Sequence, residues 1–267
     1  MIFQFHSAFE LSYLWLIIIG FVIGFLASFI GGGGGFCFIA ILILLFRVPA
    51  HVAITTSLSA TLPICLVGTL GHYKYGNIDL QLGLIFIITG ILGAFAGAFL
   101  TKLMSSENLK ISFGVYSALL GIIMMFGNIK KKRAEEHGIQ LPEVTVKGKV
   151  TKGSFFGFLA GVITGTFGTS GTAPVLAGLF AIRIPVKIVV GTSLMIAFVN
   201  TVSALAAHFM VGQIDLTLIF FLTAGSVIGA LTGPGKLAGI RIGNAEYHIR
   251  KWYAVAMIAF GIIMVIS

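Results

Sequence analysis

Charge is what this chain has least of. Only 8 of its 267 residues are acidic and 17 are Lys or Arg, 9% in all, against a hydrophobic share of 58%. A soluble domain carries roughly 25% charged residues, so a water-soluble globular protein is excluded. Carboxylates are almost missing from the apolar segments, which also lack a Cys/His cluster or a nucleophile–base pair; a membrane enzyme is disfavoured on that ground. Cysteine is scarce too. Cys37 and Cys65 both lie in apolar stretches and read as free small hydrophobes, not a disulfide framework. No Lys or Arg precedes the first apolar run, so it lacks the charged start of a secretory signal.

What is abundant is apolar sequence, and several runs of it are long enough to cross about 30 Å of hydrocarbon at 1.5 Å per helical residue. Membrane β-strands would be about ten residues long with alternating polarity. The expected fold is therefore an all-α polytopic membrane protein. Its basic residues sit between apolar segments and form no folded basic face, which argues against a nucleic-acid partner. The lipid bilayer is the expected partner.

The chain is written twice. "FRVPAHVAITTSL" (46–58) aligns with "IRIPVKIVVGTSL" (182–194), "GHYKYGNID" (71–79) with "AHFMVGQID" (207–215), and "GAFAG" (93–97) with "GALTG" (229–233), all at a shift of 136. "GFLAS" (24–28) and "GFLAG" (157–161) match at 133. These matches divide the chain into a first transmembrane repeat 1–127, a charged linker 128–152 and a second repeat 153–267. Each half lists the same parts: an apolar run, a helix break, a short apolar segment (36–46 or 172–182), then three longer runs. The short segments have too few residues to span, and the sequence leaves open whether they cross or re-enter.

Lys and Arg accumulate on the cytoplasmic side of a membrane. If the linker is cytoplasmic and each half crosses an odd number of times, only Arg47, Lys102 and Lys110 of the 17 basic residues fall outside. An even number of crossings removes the bias. The sequence therefore predicts inverted-topology repeats with a cytoplasmic linker and both termini outside.

The breaks are "GGGGG" (31–35) and "GTSG" (168–171). Glycine costs about 1 kcal/mol relative to Ala in a helix interior, so five in a row end a helix. Broken helices at the interface of inverted repeats are the architecture of secondary transporters. The free N–H groups opening the next half-helix form a partly positive anion site. Gly33, Gly34, Gly35, Thr169, Ser170 and Gly171 are accordingly the candidate substrate-binding residues, with hydroxyls of Thr56, Ser57, Thr192 and Ser193 in support. Close helix packing is the competing account of the breaks, and it is the preferred account of "GAFAG" and "GALTG". Neither break is followed by Lys-Ser or Lys-Thr, so a nucleotide phosphate loop is not expected. His72 and His208, before the "G-x-I-D" turns, are candidates for proton coupling or gating, with interfacial anchoring as the plainer alternative. Arg47 and Arg183 precede proline at matched turns and are read as anion vestibules or anchors. No metal site or cofactor is expected.

These residues resemble the TauE/SafE sulfite exporter family of membrane anion transporters. The resemblance lies in "GFLASFIGGGGGF", "AITTSLSAT" and "GHYKYGNIDLQLGLIFIITGILGAFAGAFL", with their second-half echoes, and covers nearly the whole chain except the linker. It implies export or uptake of sulfite, thiosulfate or small organosulfonates across the bacterial inner membrane, driven by the proton gradient. One departure is that the second break reads "GTFGTSGT", which makes the two half-sites chemically unequal. Taken together, the expectation is a secondary transporter, acting by alternating access, for a small sulfur-containing anion. A channel or uptake system for another anion is the alternative, and oligomeric state is left open.

Overall fold

The computed structural model describes residues 2–4, 11–136, 144–209, 213–239 and 244–266. It is built from ten α-helices: α1 (Leu14–Ile30), α2 (Gly35–Leu44), α3 (Ala50–Lys74), α4 (Leu80–Leu103), α5 (Ser106–Glu136), α6 (Val146–Phe167), α7 (Thr172–Ile182), α8 (Val186–His208), α9 (Leu216–Gly239) and α10 (Asn244–Ile266). Two short strands, β1 (Ile2–Gln4) and β2 (Gln213–Asp215), pair in parallel, with Phe3 opposite Ile214. Among the described residues, five helices are long and apolar enough to cross a membrane: α3, α4, α5, α8 and α9. The expected linker is helical at both ends, since α5 continues to Glu136 and α6 begins at Val146.

Local sequence sets these boundaries. Pro49 and Pro185 stand immediately before α3 and α8, where the missing proline N–H costs nothing. Asp79 caps α4 by accepting from Leu82 N at 2.9 Å, and Asp215 does the same for α9 from Leu218 N at 3.1 Å. Glycine in the left-handed conformation ends α1 at Gly31 and α6 at Gly168, as expected of C-terminal caps.

These two caps correct the repeat register. Gly31 pairs with Gly168 and Gly34 with Gly171, a shift of 137, not the 133 suggested by "GFLAS" and "GFLAG". The discrepancy is four residues, about one helical turn. A slip of one turn keeps the same helix face, so two similar small-residue stripes matched out of register.

The helices sort into two compact units: α1–α4 with α6–α9, and α5 with α10. In the second unit α5 and α10 run antiparallel, with Gly114 against Gly261, Gly121 against Ala254, and Ser117 Oγ donating to Met257 O at 2.6 Å.

In the first unit the two sequence halves interlock. Gly20 and Gly24 of α1 lie on Leu222 and Ser226 of α9, while Gly225 and Gly229 of α9 lie on Ile17 and Phe21 of α1. The same arrangement joins α4 to α6, with Gly93 on Phe158, Gly97 on Val162 and Gly161 on Gly90. Glycine is required here because a Cβ would collide with the facing backbone, which is how small residues let membrane helices approach closely. The "GAFAG" stripe is therefore a packing surface. The same contacts fix direction. α1 runs parallel to α9 and α4 parallel to α6, whereas α3 runs antiparallel to α8: Gly68 meets Leu194 and Gly191 meets His72.

α1 and α2 form a hairpin. Tyr13, just before α1, packs against Phe46, just after α2, with ring centroids 5.7 Å apart and the ring planes tilted by 44°. In the other half Lys152 Nζ near the start of α6 donates to Ala181 O near the end of α7 at 3.1 Å. The short helices therefore turn back to where their partners began. Polarity is distributed inside out. Leu84, Ile88, Leu92, Phe95 and Phe99 make an exposed apolar stripe along α4, while Thr56, Ser57 and Thr61 of α3 and Thr192, Ser193 and Asn200 of α8 are buried. Such a surface suits lipid rather than water.

Candidate functional site

The tips of the two hairpins meet inside the first unit. Ser170 Oγ and Thr172 Oγ1 both donate to Gly32 O at 2.8 Å, and the two hydroxyls lie 3.2 Å apart. The breaks thus touch through the start of α7 and the glycine run that precedes α2. Gly31, Gly33, Gly34, Gly168 and Gly171 all have positive φ, which glycine adopts without the steric penalty of a side chain.

The two N-termini and the two C-termini at this junction are treated differently. Gly34 and Gly171 are the N-caps of α2 and α7, and neither helix has a side-chain cap. The first N–H groups of each helix have no partner within the helix. The C-terminal carbonyls, by contrast, are covered by donors. Ser193 Oγ donates to Gly31 O at 3.0 Å, sharing its proton with Val190 O at 2.8 Å, and Ser57 Oγ donates to Gly168 O at 3.2 Å, sharing its proton with Gly35 O, at the start of α2, at 3.0 Å. One turn back, His72 Nε2 donates to Ser28 O at 3.0 Å and His208 Nε2 to Gly165 O at 2.7 Å. A carbonyl only accepts, so each imidazole carries its proton on Nε2. Both histidines are buried, at 0% and 5% exposure, which replaces the interfacial-anchor alternative.

Thr56 and Thr192 serve the frame. Thr192 Oγ1 accepts from Asp79 N at 2.9 Å and Thr56 Oγ1 from Asp215 N at 3.2 Å. Arg47 and Arg183 are exposed at the hairpin bases, each with positive φ, 49° and 68°. The structure brings Gly33, Gly34, Gly35, Ser57, Ser170 and Gly171 to the junction, sets Ser193 against its first cap and leaves the arginines outside it.

Two further residues of the junction, Gly32 and Thr61, lie outside the substrate-binding set read from the sequence. Gly32 is buried, yet a Cβ placed on it would meet no heavy atom within 4 Å. It therefore borders an open space at the tip of the first hairpin. Thr61 Oγ1 lies 3.1 Å from where a Cβ on Gly35 would stand, is fully buried and has no hydrogen-bond partner. Thr169 Oγ1 in the second break is also buried and unpartnered, as is the amide of Asn200, which faces Gly90. An unsatisfied buried polar group costs about 1–3 kcal/mol, and two of them, Thr61 and Thr169, stand beside the uncapped helix starts. Nothing in a run of five identical residues tells which glycine borders space. The Thr61 signal was its place in a hydroxyl-rich helix.

Comparison with known proteins places the chain among membrane transporters. The family model described as "Sulfite exporter TauE/SafE" matches residues 16–264. A "Probable membrane transporter protein YdhB" of Bacillus subtilis is 31% identical over 222 residues, covering 82% of this chain and 87% of that protein. A "Probable membrane transporter protein" of Xylella fastidiosa is 28% identical over 252 residues, 92% of each chain. No solved structure matches significantly. With its apolar spans and these relatives, the chain is a multi-pass membrane transporter, and it belongs to the TauE/SafE sulfite exporter family.

Proposed function

We propose that the protein is a secondary transporter exporting a small sulfur-containing anion, such as sulfite, thiosulfate or an organosulfonate, and that the anion binds where the two hairpin tips meet. The observation that carries this reading is the pair of uncapped helix starts beside the open space at Gly32, with unpartnered hydroxyls at Thr61 and Thr169. Unpaired amide and hydroxyl donors of this kind recognise an oxyanion. Gly33, Gly34, Gly35, Thr169, Ser170 and Gly171 line the binding region in this reading. Ser57, Ser193, Thr56 and Thr192 hold the surrounding helices.

Alternating access follows from the exchange of contacts between halves. Thr56 meets Asp215 and Thr192 meets Asp79, the reciprocal pattern of a twofold interface. With α3 antiparallel to α8, this supports repeats 1–127 and 153–267 of inverted topology, joined by a cytoplasmic linker at 128–152, with termini outside, in a bacterial inner membrane. Each half then makes three crossings and one re-entrant hairpin. Inverted repeats rock around a fixed central site. Ser170 and Thr172 now spend their hydroxyls on Gly32 O; an incoming anion competes with that carbonyl for them. His72 and His208 lie at the far ends of the antiparallel α3 and α8 and are assigned to proton coupling.

The test is flux in proteoliposomes with Gly32→Ala and Gly32→Val. Gly32 lies outside the positive-φ set and has room for a side chain, so both variants fold. Binding at the hairpin tips requires flux to fall at least tenfold in the valine variant. Undiminished flux of the sulfur anion in a folded Gly32→Val protein excludes this site.

A further inference from the structure

The charge of the ligand is legible in what surrounds the hairpin tips. Stretches 11–46, 52–71, 153–182 and 188–207, which supply α1, α2, most of α3, the membrane part of α6, α7 and most of α8, contain no Lys, Arg, Asp or Glu. The side chains that approach the glycines of the first break are Ser170, Thr61, Ser193, Cys65 and aliphatics such as Ile23 and Ile64. Positive potential at the junction therefore comes from backbone. Each helix start carries roughly half an elementary charge, and two of them meet here without side-chain caps. The opposing C-terminal ends of α1 and α6 are covered by Ser193 and His72, and by Ser57 and His208. The junction thus offers about one elementary positive charge. A helix start alone does not make a site; the fully buried, unpartnered Thr61 Oγ1 beside Gly35 and the space at Gly32 add independent marks of an absent ligand.

Two opposite formal charges are the usual requirement for a buried dianion. The desolvation penalty of an ion scales with the square of its charge, so a dianion loses about four times as much as a monoanion of the same size on leaving water. The available helix-end potential offsets it only in proportion to the first power of charge. We infer that this transporter selects monoanions: a sulfonate or hydrogensulfite is accepted, and doubly charged sulfate, thiosulfate and sulfite are rejected. This inference rests on the tip-to-tip site proposed above and narrows its substrate class. Hydroxyls suit such a ligand because Thr61 and Thr169 can donate to the oxyanion or accept from a protonated oxygen.

The test is counterflow of methanesulfonate, sulfate and thiosulfate through the reconstituted protein at one pH, with the membrane potential clamped at zero. Methanesulfonate is expected to move at least tenfold faster than either dianion, and Gly32→Val is expected to remove its flux. A preference below tenfold, with dianion flux still abolished by Gly32→Val, overturns the charge rule and leaves the binding site standing. Absence of flux for all three anions from a folded protein overturns both.

Discussion

Thr192 in α8 accepts a hydrogen bond from the backbone N–H of Asp79 at the start of α4, 2.9 Å away, and its counterpart Thr56 in α3 accepts from Asp215 N at 3.2 Å. The helix that starts at each aspartate, α4 or α9, thus begins on a hydroxyl borrowed from the other half. Replacing either threonine by valine keeps the shape and leaves a peptide N–H unpaired. Thr56→Val and Thr192→Val are each expected to lower stability by about 1–3 kcal/mol, read as a lower midpoint in chemical denaturation of the protein in detergent. The costs should be similar. A large loss at one site and none at the other would show that the two joints are not equivalent.

The carboxylates at these joints are helix caps. Asp79 Oδ1 accepts from Leu82 N and Asp215 Oδ1 from Leu218 N. Asparagine caps about as well as aspartate, whereas alanine costs about 1 kcal/mol. Asp79→Asn and Asp215→Asn should therefore retain both stability and flux, while the alanine variants lose stability. Loss of flux in a stable Asp→Asn variant would assign these carboxylates to ion coupling instead.

Glycines that look alike in the sequence divide into classes with opposite tolerance. A Cβ on Gly93 would strike the backbone carbonyl of Phe158, and one on Gly229 that of Phe21. Gly93→Val and Gly229→Val are expected to separate α4 from α6 and α1 from α9, with a loss of about 1–3 kcal/mol or more and poor recovery of folded protein. Gly34 is equally intolerant: its φ is +80° and Ile23 Cγ2 lies 2.9 Å from its Cβ position. Gly34→Leu therefore reports on folding rather than binding. Gly32→Val is the informative change, and wild-type recovery of its folded protein beside the failure of Gly93→Val is the contrast to measure.

That contrast also separates what sequence reveals from what it hides. The short apolar run read as 172–182 became Thr172–Ile182, because hydrophobicity and the Gly and Pro boundaries act locally. The short segments 36–46 and 172–182 were recognisable as too short to span. Their return to the hairpin base, by contrast, depends on contacts such as Tyr13 with Phe46. The repeat was visible in identities such as His72 and His208, yet the "GFLAS" match fell one turn out of register because a small-residue stripe resembles itself every four residues. The site was legible as two breaks and no further. Whether Ser57 points at an anion or at Gly168 O is a tertiary fact, and so is the pairing of α5 with α10 as a separate unit.

The two histidines provide a test of coupling that leaves the frame intact. His72 Nε2 and His208 Nε2 each hold a last-turn carbonyl of a broken helix, and His72 Nδ1 lies 3.4 Å from Asn77 Nδ2. Glutamine keeps an N–H donor of comparable reach without the ability to gain a proton near neutral pH. If the histidines carry the coupling proton, His72→Gln and His208→Gln fold and still exchange anion between equal compartments. Neither then accumulates it against a gradient when a pH difference is imposed across the proteoliposome membrane. Because α3 and α8 are antiparallel, the two residues sit at opposite ends of the pair, so either substitution alone suffices to uncouple. Full pH-driven accumulation in both variants would leave the imidazoles with a purely structural role at the ends of α1 and α6.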